Sequence, residues 1–179
     1  MPTNPYKPRL NFLKDFMRLA NKSYRQIAEL TKGGGPQIPF FLQNDNMRIS
    51  DVYRIVEALG YEVSFSLTDE SGQMPVREIE SKTGRRLDFL TNALKRYRIT
   101  KRNVSEALGL HYATVIHMFQ VDDTSIQHLW EIADKFNLAL HIDIYPADNF
   151  FASEETLPGS RVVSTINWIN VQYTSEAHP

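Results

Sequence analysis

At 179 residues, with 42% hydrophobic and 23% charged, the chain has the size and balance of one large folded domain or two small ones. It contains no cysteine, which excludes disulfides, thiolate catalysis and cysteine metal sites. The net charge of −1 hides an alternation: residues 1–35 carry seven Lys/Arg against two Asp/Glu, 36–69 two against five, 70–109 nine against five, 110–146 one against five and 147–179 one against four.

The alternation has a cause, because the chain aligns with itself at an offset of 77 positions without a gap. Arg9, Leu10, Phe12 and Leu13 fall on Arg86, Leu87, Phe89 and Leu90. Farther on, Arg25 falls on Arg102, Gln43 on Gln120, Asp45 on Asp122 and Ile55 on Ile132. A match of this length is a small domain in duplicate, not a solenoid unit. We therefore divide the chain into a first copy (8–69), a linker (70–85), a second copy (86–146) and a tail (147–179). Each copy has a basic front half and an acidic back half, suited to turning one surface toward an anion.

In the first copy, Ser23 is an N-cap for a helix beginning Tyr24-Arg25-Gln26-Ile27-Ala28-Glu29, and Ile49 to Leu59 has the apolar spacing of a later helix that stops at Gly60. Tyr61 to Leu67 alternates as a strand. Between these lies Lys32-Gly33-Gly34-Gly35-Pro36-Gln37-Ile38-Pro39. The glycines loosen a turn, and Pro39 is tolerated only in a helix's first turn, so a short helix from Pro36 would present Gln37 and Phe40 outward. The glycine run is not a phosphate loop, which needs Gly-Lys-Ser/Thr opening a helix. Ser71 to Arg85, with Gly72, Pro75 and Gly84, reads as linker.

The second copy is more regular. Leu87 to Tyr97 carries apolar residues at three- and four-residue spacing. Thr100 caps a short helix with Val104, Ala107 and Leu108 inward, and Gly109 ends it. His111 to Phe119 buries Val115, Met118 and Phe119. Ser125 caps Ile126 to Phe136, and Leu138, Leu140, Ile142 and Ile144 alternate with Ala139, His141, Asp143 and Tyr145 in a strand with one buried face. Asp122-Asp123 reads as a turn rather than a catalytic pair. His111 and His117 are six apart, do not share a helix face and have no completing carboxylate, so no metal or cofactor is expected. Trp130 and Trp168 read as packing residues. The tail, with Phe150-Phe151 and Arg161 to Val171, is too apolar for a disordered end and has room for an added strand, a helix or a partner-binding element.

Two short helices meeting at a glycine within a four-helix unit have a helix-turn-helix layout. Ile99-Thr100, Val104-Ser105, Gly109-Leu110 and Thr114-Val115, followed by Ile126, Leu129, Ile132-Ala133 and Phe136-Asn137-Leu138, resemble the Cro/lambda-repressor-like family of transcriptional regulators over about 50 residues. The chain departs from that pattern at Phe119-Gln120, where a Glu commonly closes the third helix. The resemblance implies a mainly α fold with a small antiparallel sheet: two lambda-repressor-like four-helix helix-turn-helix domains, each followed by a β-strand.

It also implies double-stranded DNA as partner, with His111, Tyr112, Thr114 and His117 turned to the major groove and Thr100, Lys101 and Arg102 to phosphates. Ser23, Arg25 and Gln37 occupy the corresponding places in the first copy. The two strands could pair within one chain or between chains of a homodimer. The function expected is a sequence-specific transcriptional regulator. A protein-interaction adaptor or antitoxin-like subunit that keeps the fold without reading DNA is the alternative, and no constellation of catalytic residues points to an enzyme. Neither a membrane span nor a signal peptide is visible, so a cytoplasmic location is expected.

Overall fold

A computed structural model describes residues 9–31, 37–69, 84–147 and 169–173. The order is α1 (Asn11–Leu19), α2 (Tyr24–Leu30), α3 (Gln37–Gln43), α4 (Ile49–Ala58), β1 (Tyr61–Thr68), α5 (Asp88–Arg96), α6 (Lys101–Leu108), α7 (Tyr112–Gln120), α8 (Ile126–Lys135), β2 (Ala139–Pro146) and β3 (Ile169–Tyr173). The molecule is thus mainly helical with a small antiparallel sheet of order β1-β2-β3. No helix of the described residues is long and apolar enough to cross a membrane.

Local chemistry sets the same boundaries twice. The side chain of Ser23 accepts a hydrogen bond from the Gln26 N–H while Gln26 reaches back to the Ser23 N–H, and Thr100 and Asn103 make the same capping box at α6. Left-handed backbone recurs at the repeat interval, at Asn21 and Arg98, Asp45 and Asp122, and Gly60 and Asn137. Gly109 adds one at the end of α6 (φ 63°), where glycine has no Cβ to strain.

One duplicated device does not follow from helical periodicity. Leu10 and Leu87 precede α1 and α5 with no cap from their own side chains. The carboxylate of Asp45 instead accepts from the N–H groups of Arg9 (2.8 Å) and Leu10 (2.9 Å), and that of Asp122 from Arg86 (2.7 Å) and Leu87 (2.9 Å). In both copies the arginine Nε then donates to the carbonyl of the same aspartate at 3.0 Å. A negative group at a helix N-terminus satisfies backbone donors that would otherwise lack partners. Asp122 is therefore a structural clamp.

The copies are related by a pseudo-two-fold axis. In the β1–β2 register Phe65 faces Ile142, which is its own counterpart 77 residues on. The isolated bridge between Arg48 and Ser125 is also a residue paired with its counterpart, closed by Ile49 N–H to Thr124 O and Ile126 N–H to Met47 O, each 2.8 Å. Around this second point each copy caps the other's helix. Asp123 accepts from the Ser50 N–H (3.1 Å) and hydroxyl (2.8 Å), while Asn46 accepts from the Gln127 N–H (3.1 Å). Arg48 pairs with the buried Asp123 at 3.1 Å.

Val63, Phe65 and Leu67 of β1 and Leu140, Ile142 and Ile144 of β2 line the buried face of the sheet, and one cluster of buried side chains runs through both copies. Phe65 stacks on Phe89 of α5 at 5.6 Å, tying the first copy's strand to the second copy's helix. The duplicated units therefore share one core rather than forming two separate ones. The pairing that the sequence allows within or between chains is made within the chain.

One further expectation is revised and one open choice is resolved. Alternation puts His141 on the open face of its strand, yet it is 8% exposed: its Nε2 lies 2.7 Å from Thr68 Oγ1, and its buried Nδ1 has no partner among the described residues. Burial lowers the pKa of this imidazole against the opposing pull of Asp143. Of the tail, Ile169–Tyr173 forms a strand on the free edge of β2, from Leu140 opposite Tyr173 to Ile144 opposite Ile169. Phe150-Phe151, Arg161 to Trp168, the Gly33–Gly35 run and most of the linker lie outside the described residues. Trp130 is half-buried against the core, as expected of a packing residue.

Candidate nucleic-acid interface

Helices α6 and α7 are joined by a turn held at both ends. Gly109 takes the left-handed conformation, the Leu110 N–H donates to Ser105 O at 3.0 Å, and the Ser105 hydroxyl donates to Leu110 O at 2.6 Å. These bonds fix the angle at which α7 leaves. Val115, Met118 and Phe119 then face the core, while His111, Tyr112, Thr114 and His117 are all exposed. Tyr112 is 50% exposed.

Lys95 at the end of α5, Arg98 in the loop that follows and Arg102 on α6, the helix packed against α7, are all exposed. Among the described residues none of the three forms an ion pair. The corresponding cations of the first copy are neutralised: Arg18, counterpart of Lys95, pairs with Asp15 at 3.3 Å, and Arg25, counterpart of Arg102, pairs with Glu29 at 3.1 Å. The acid at position 15 is Asn92 in the second copy.

The remaining expected contacts sort differently. Thr100 and Ser23 are exposed but committed to capping: the Thr100 hydroxyl accepts from the Asn103 N–H at 3.1 Å and donates to Asn103 Oδ1 at 2.7 Å, and Ser23 Oγ accepts from the Gln26 N–H at 3.2 Å. Lys101 is half-buried, its Nζ 4.7 Å from the centre of the Phe119 ring, which places its charge at the α6–α7 junction. Arg85 donates to the Phe119 carbonyl on the same side. Gln37 is exposed at the start of α3, with Phe40 beside it at 61% exposure. The structure thus exposes His111, Tyr112, Thr114 and His117 at α7 and Arg102 on α6, the helix packed against it. Arg25 and Gln37 are exposed on α2 and α3, the corresponding pair of helices in the first copy.

Aligning the counterparts shows what has been exchanged between these sides. Arg96, Lys101 and His117 of the second copy are Leu19, Tyr24 and Phe40 in the first, which are 60%, 43% and 61% exposed. That exchange was readable from the 77-residue offset. The loss of Asp15 at Asn92 was readable too, but its effect on Lys95 needed the ion pair in the first copy.

A separate concavity of about 490 Å³ is lined by Ser50, Asp51, Tyr53, Arg54, Glu57, Gly84 and Arg86. Burial raises the Tyr53 pKa to about 12, so that hydroxyl stays protonated well into the alkaline range. Among the described residues, no group of three or more His, Cys, Asp or Glu is placed to hold a metal ion. No protein-family model matches the chain, and no curated protein or solved structure matches it.

Proposed function

We propose that the chain is a duplex-DNA-binding regulator in which α6 and α7 act as a helix-turn-helix of the Cro/lambda-repressor type. The observation that carries this reading is the exposed set His111, Tyr112, Thr114 and His117 on a helix held by the Gly109 turn, with Lys95, Arg98 and Arg102 exposed and, among the described residues, in no ion pair. In this reading α7 lies in the major groove, where base edges present distinguishable donors and acceptors. Arg102, Lys101 and the first N–H groups of α6 meet phosphate, and Lys95 and Arg98 extend the contact.

Nuclear magnetic resonance titration with a duplex tests it, because a 20.7 kDa chain gives resolvable amide signals. Shifts concentrated in residues 95–120 are expected. Shifts concentrated on the sheet or in the cleft around Tyr53 would contradict the reading.

One observation favours a second reading, a protein-interaction adaptor. Of the six large apolar side chains that stand exposed among the described residues, Leu19, Tyr24, Leu30 and Phe40 belong to the first copy. Exposed apolar surface concentrated in one region is a mark of protein contact. Duplex affinity independent of salt would favour this adaptor.

A further inference from the structure

We infer that a single chain reads a target of unlike half-sites, with α3 selecting A·T pairs through Gln37 and Phe40 while α7 reads the other half. This rests on the DNA-binding reading above and names its substrate, a duplex without two-fold sequence symmetry.

The internal axis supplies the geometry. Helix α3 ends at Gln43 and α7 at Gln120, each five residues before Arg48 and Ser125, the pair that meets on the axis. Five residues of chain reach at most about 17 Å and the bridged pair adds about 5 Å, so the ends of the two helices lie no more than about 40 Å apart. Successive major-groove faces of B-DNA are about 34 Å apart, a separation inside that bound, so the internal axis permits one chain to address two half-sites as a dimeric repressor does. In such a dimer identical helices read identical half-sites. Here the two helices differ at the outward positions: Thr114 is matched by Gln37, and His117 by Phe40.

The first copy's pair has a chemistry of its own. Gln37 and Phe40 are both exposed and three residues apart on α3, hence neighbours on one side of the helix. A glutamine amide donates and accepts together, matching N7 and the N6 amino group of adenine, and a phenyl ring packs on the C5 methyl of thymine. Neither residue attracts phosphate, and the nearby Arg18 and Arg25 are already paired with carboxylates. The second copy supplies the attraction to the backbone, and the first contributes discrimination.

Selection of duplexes from a random pool by the full chain, with sedimentation to count chains per duplex, tests the inference. One chain per unsymmetrical site with an A·T-containing half is expected. Replacing thymine by deoxyuridine in that half removes one methyl group and is expected to weaken binding about fourfold. Phe40→Ala should be indifferent to that replacement. Gln37→Ala should lose about five- to 150-fold of the preference for adenine there and leave the other half unchanged, with Thr114→Ala doing the reverse. A palindromic site filled by two chains, or deoxyuridine tolerated by the wild type while binding stays salt-dependent, overturns the inference and leaves the DNA-binding reading standing. Absence of salt-dependent binding to any duplex removes both.

Discussion

The two copies keep the same skeleton and differ on one surface. Their capping boxes, left-handed turns and aspartate clamps repeat at 77 residues, yet the side around α3 shows Leu19, Tyr24 and Phe40 where the side around α7 shows Arg96, Lys101 and His117. Two cations kept at matching places in the first copy, Arg18 and Arg25, pair with Asp15 and Glu29. Fold and surface have been separated: residues that satisfy backbone donors or fill the core are held in both copies, and residues free to face a partner have diverged.

If both copies contribute to one core, equivalent core lesions should cost alike. Leu13→Ala and Leu90→Ala, each at a side chain with no exposure, are expected to lower stability by about 2–5 kcal/mol apiece, within a single unfolding transition in urea. Two separate transitions would show independent units.

The clamps come next. Asp45→Ala and Asp122→Ala each orphan two backbone N–H groups and should cost about 1.5–3 kcal/mol, again nearly equally, in the same urea titration.

On the diverged surfaces the effects should be unequal. Lys101→Ala is expected to weaken binding to all duplexes alike and reduce the salt slope by about one, whereas Tyr24→Ala at the matching place should leave that slope unchanged. Asn92→Asp, which installs the first copy's acid beside Lys95, should move the slope in the direction of Lys101→Ala but by less.

The smallest effect concerns acid. His141 has a lowered pKa in the folded chain, so the unfolded chain takes up its proton first as pH falls below the ordinary value of 6.5. Stability from this residue is complete above that pH and is lost below it. The melting temperature of the wild type should therefore decline through the mildly acidic range, and more steeply than that of His141→Asn. His128, also lowered by burial, adds a decline that the variant retains.

Much of this architecture was readable from residue order alone. The helices of the second copy, the caps Ser23, Thr100 and Ser125, the stop at Gly109 and the exposure of His111, Tyr112, Thr114 and His117 all follow from period, capping and turn chemistry, which act over a few residues. What escaped acts over longer distances. Asp45 and Asp122 look like turn residues until the chain folds back 36 positions to Arg9 and Arg86. Reciprocal capping by Asp123 and Asn46 spans the axis, and a shared core cannot be told from two cores by counting apolar residues. His141 defeated the alternation rule because Thr68 on the neighbouring strand gives the ring a polar partner. The exchange of charge for apolar surface lay in the offset itself and needed the structure only to show which counterparts are exposed.

The most direct test is fluorescence anisotropy with pooled duplexes at about 50 and 200 mM salt, a range over which four phosphate contacts would cost roughly 100-fold in affinity. The expected result is a fall of that order for the wild type, greatly diminished when Lys95, Arg98 and Arg102 are replaced by glutamine. Duplex affinity that is the same at both ionic strengths, or unchanged by those three substitutions, would contradict the assignment of the α6–α7 side as the surface that meets DNA.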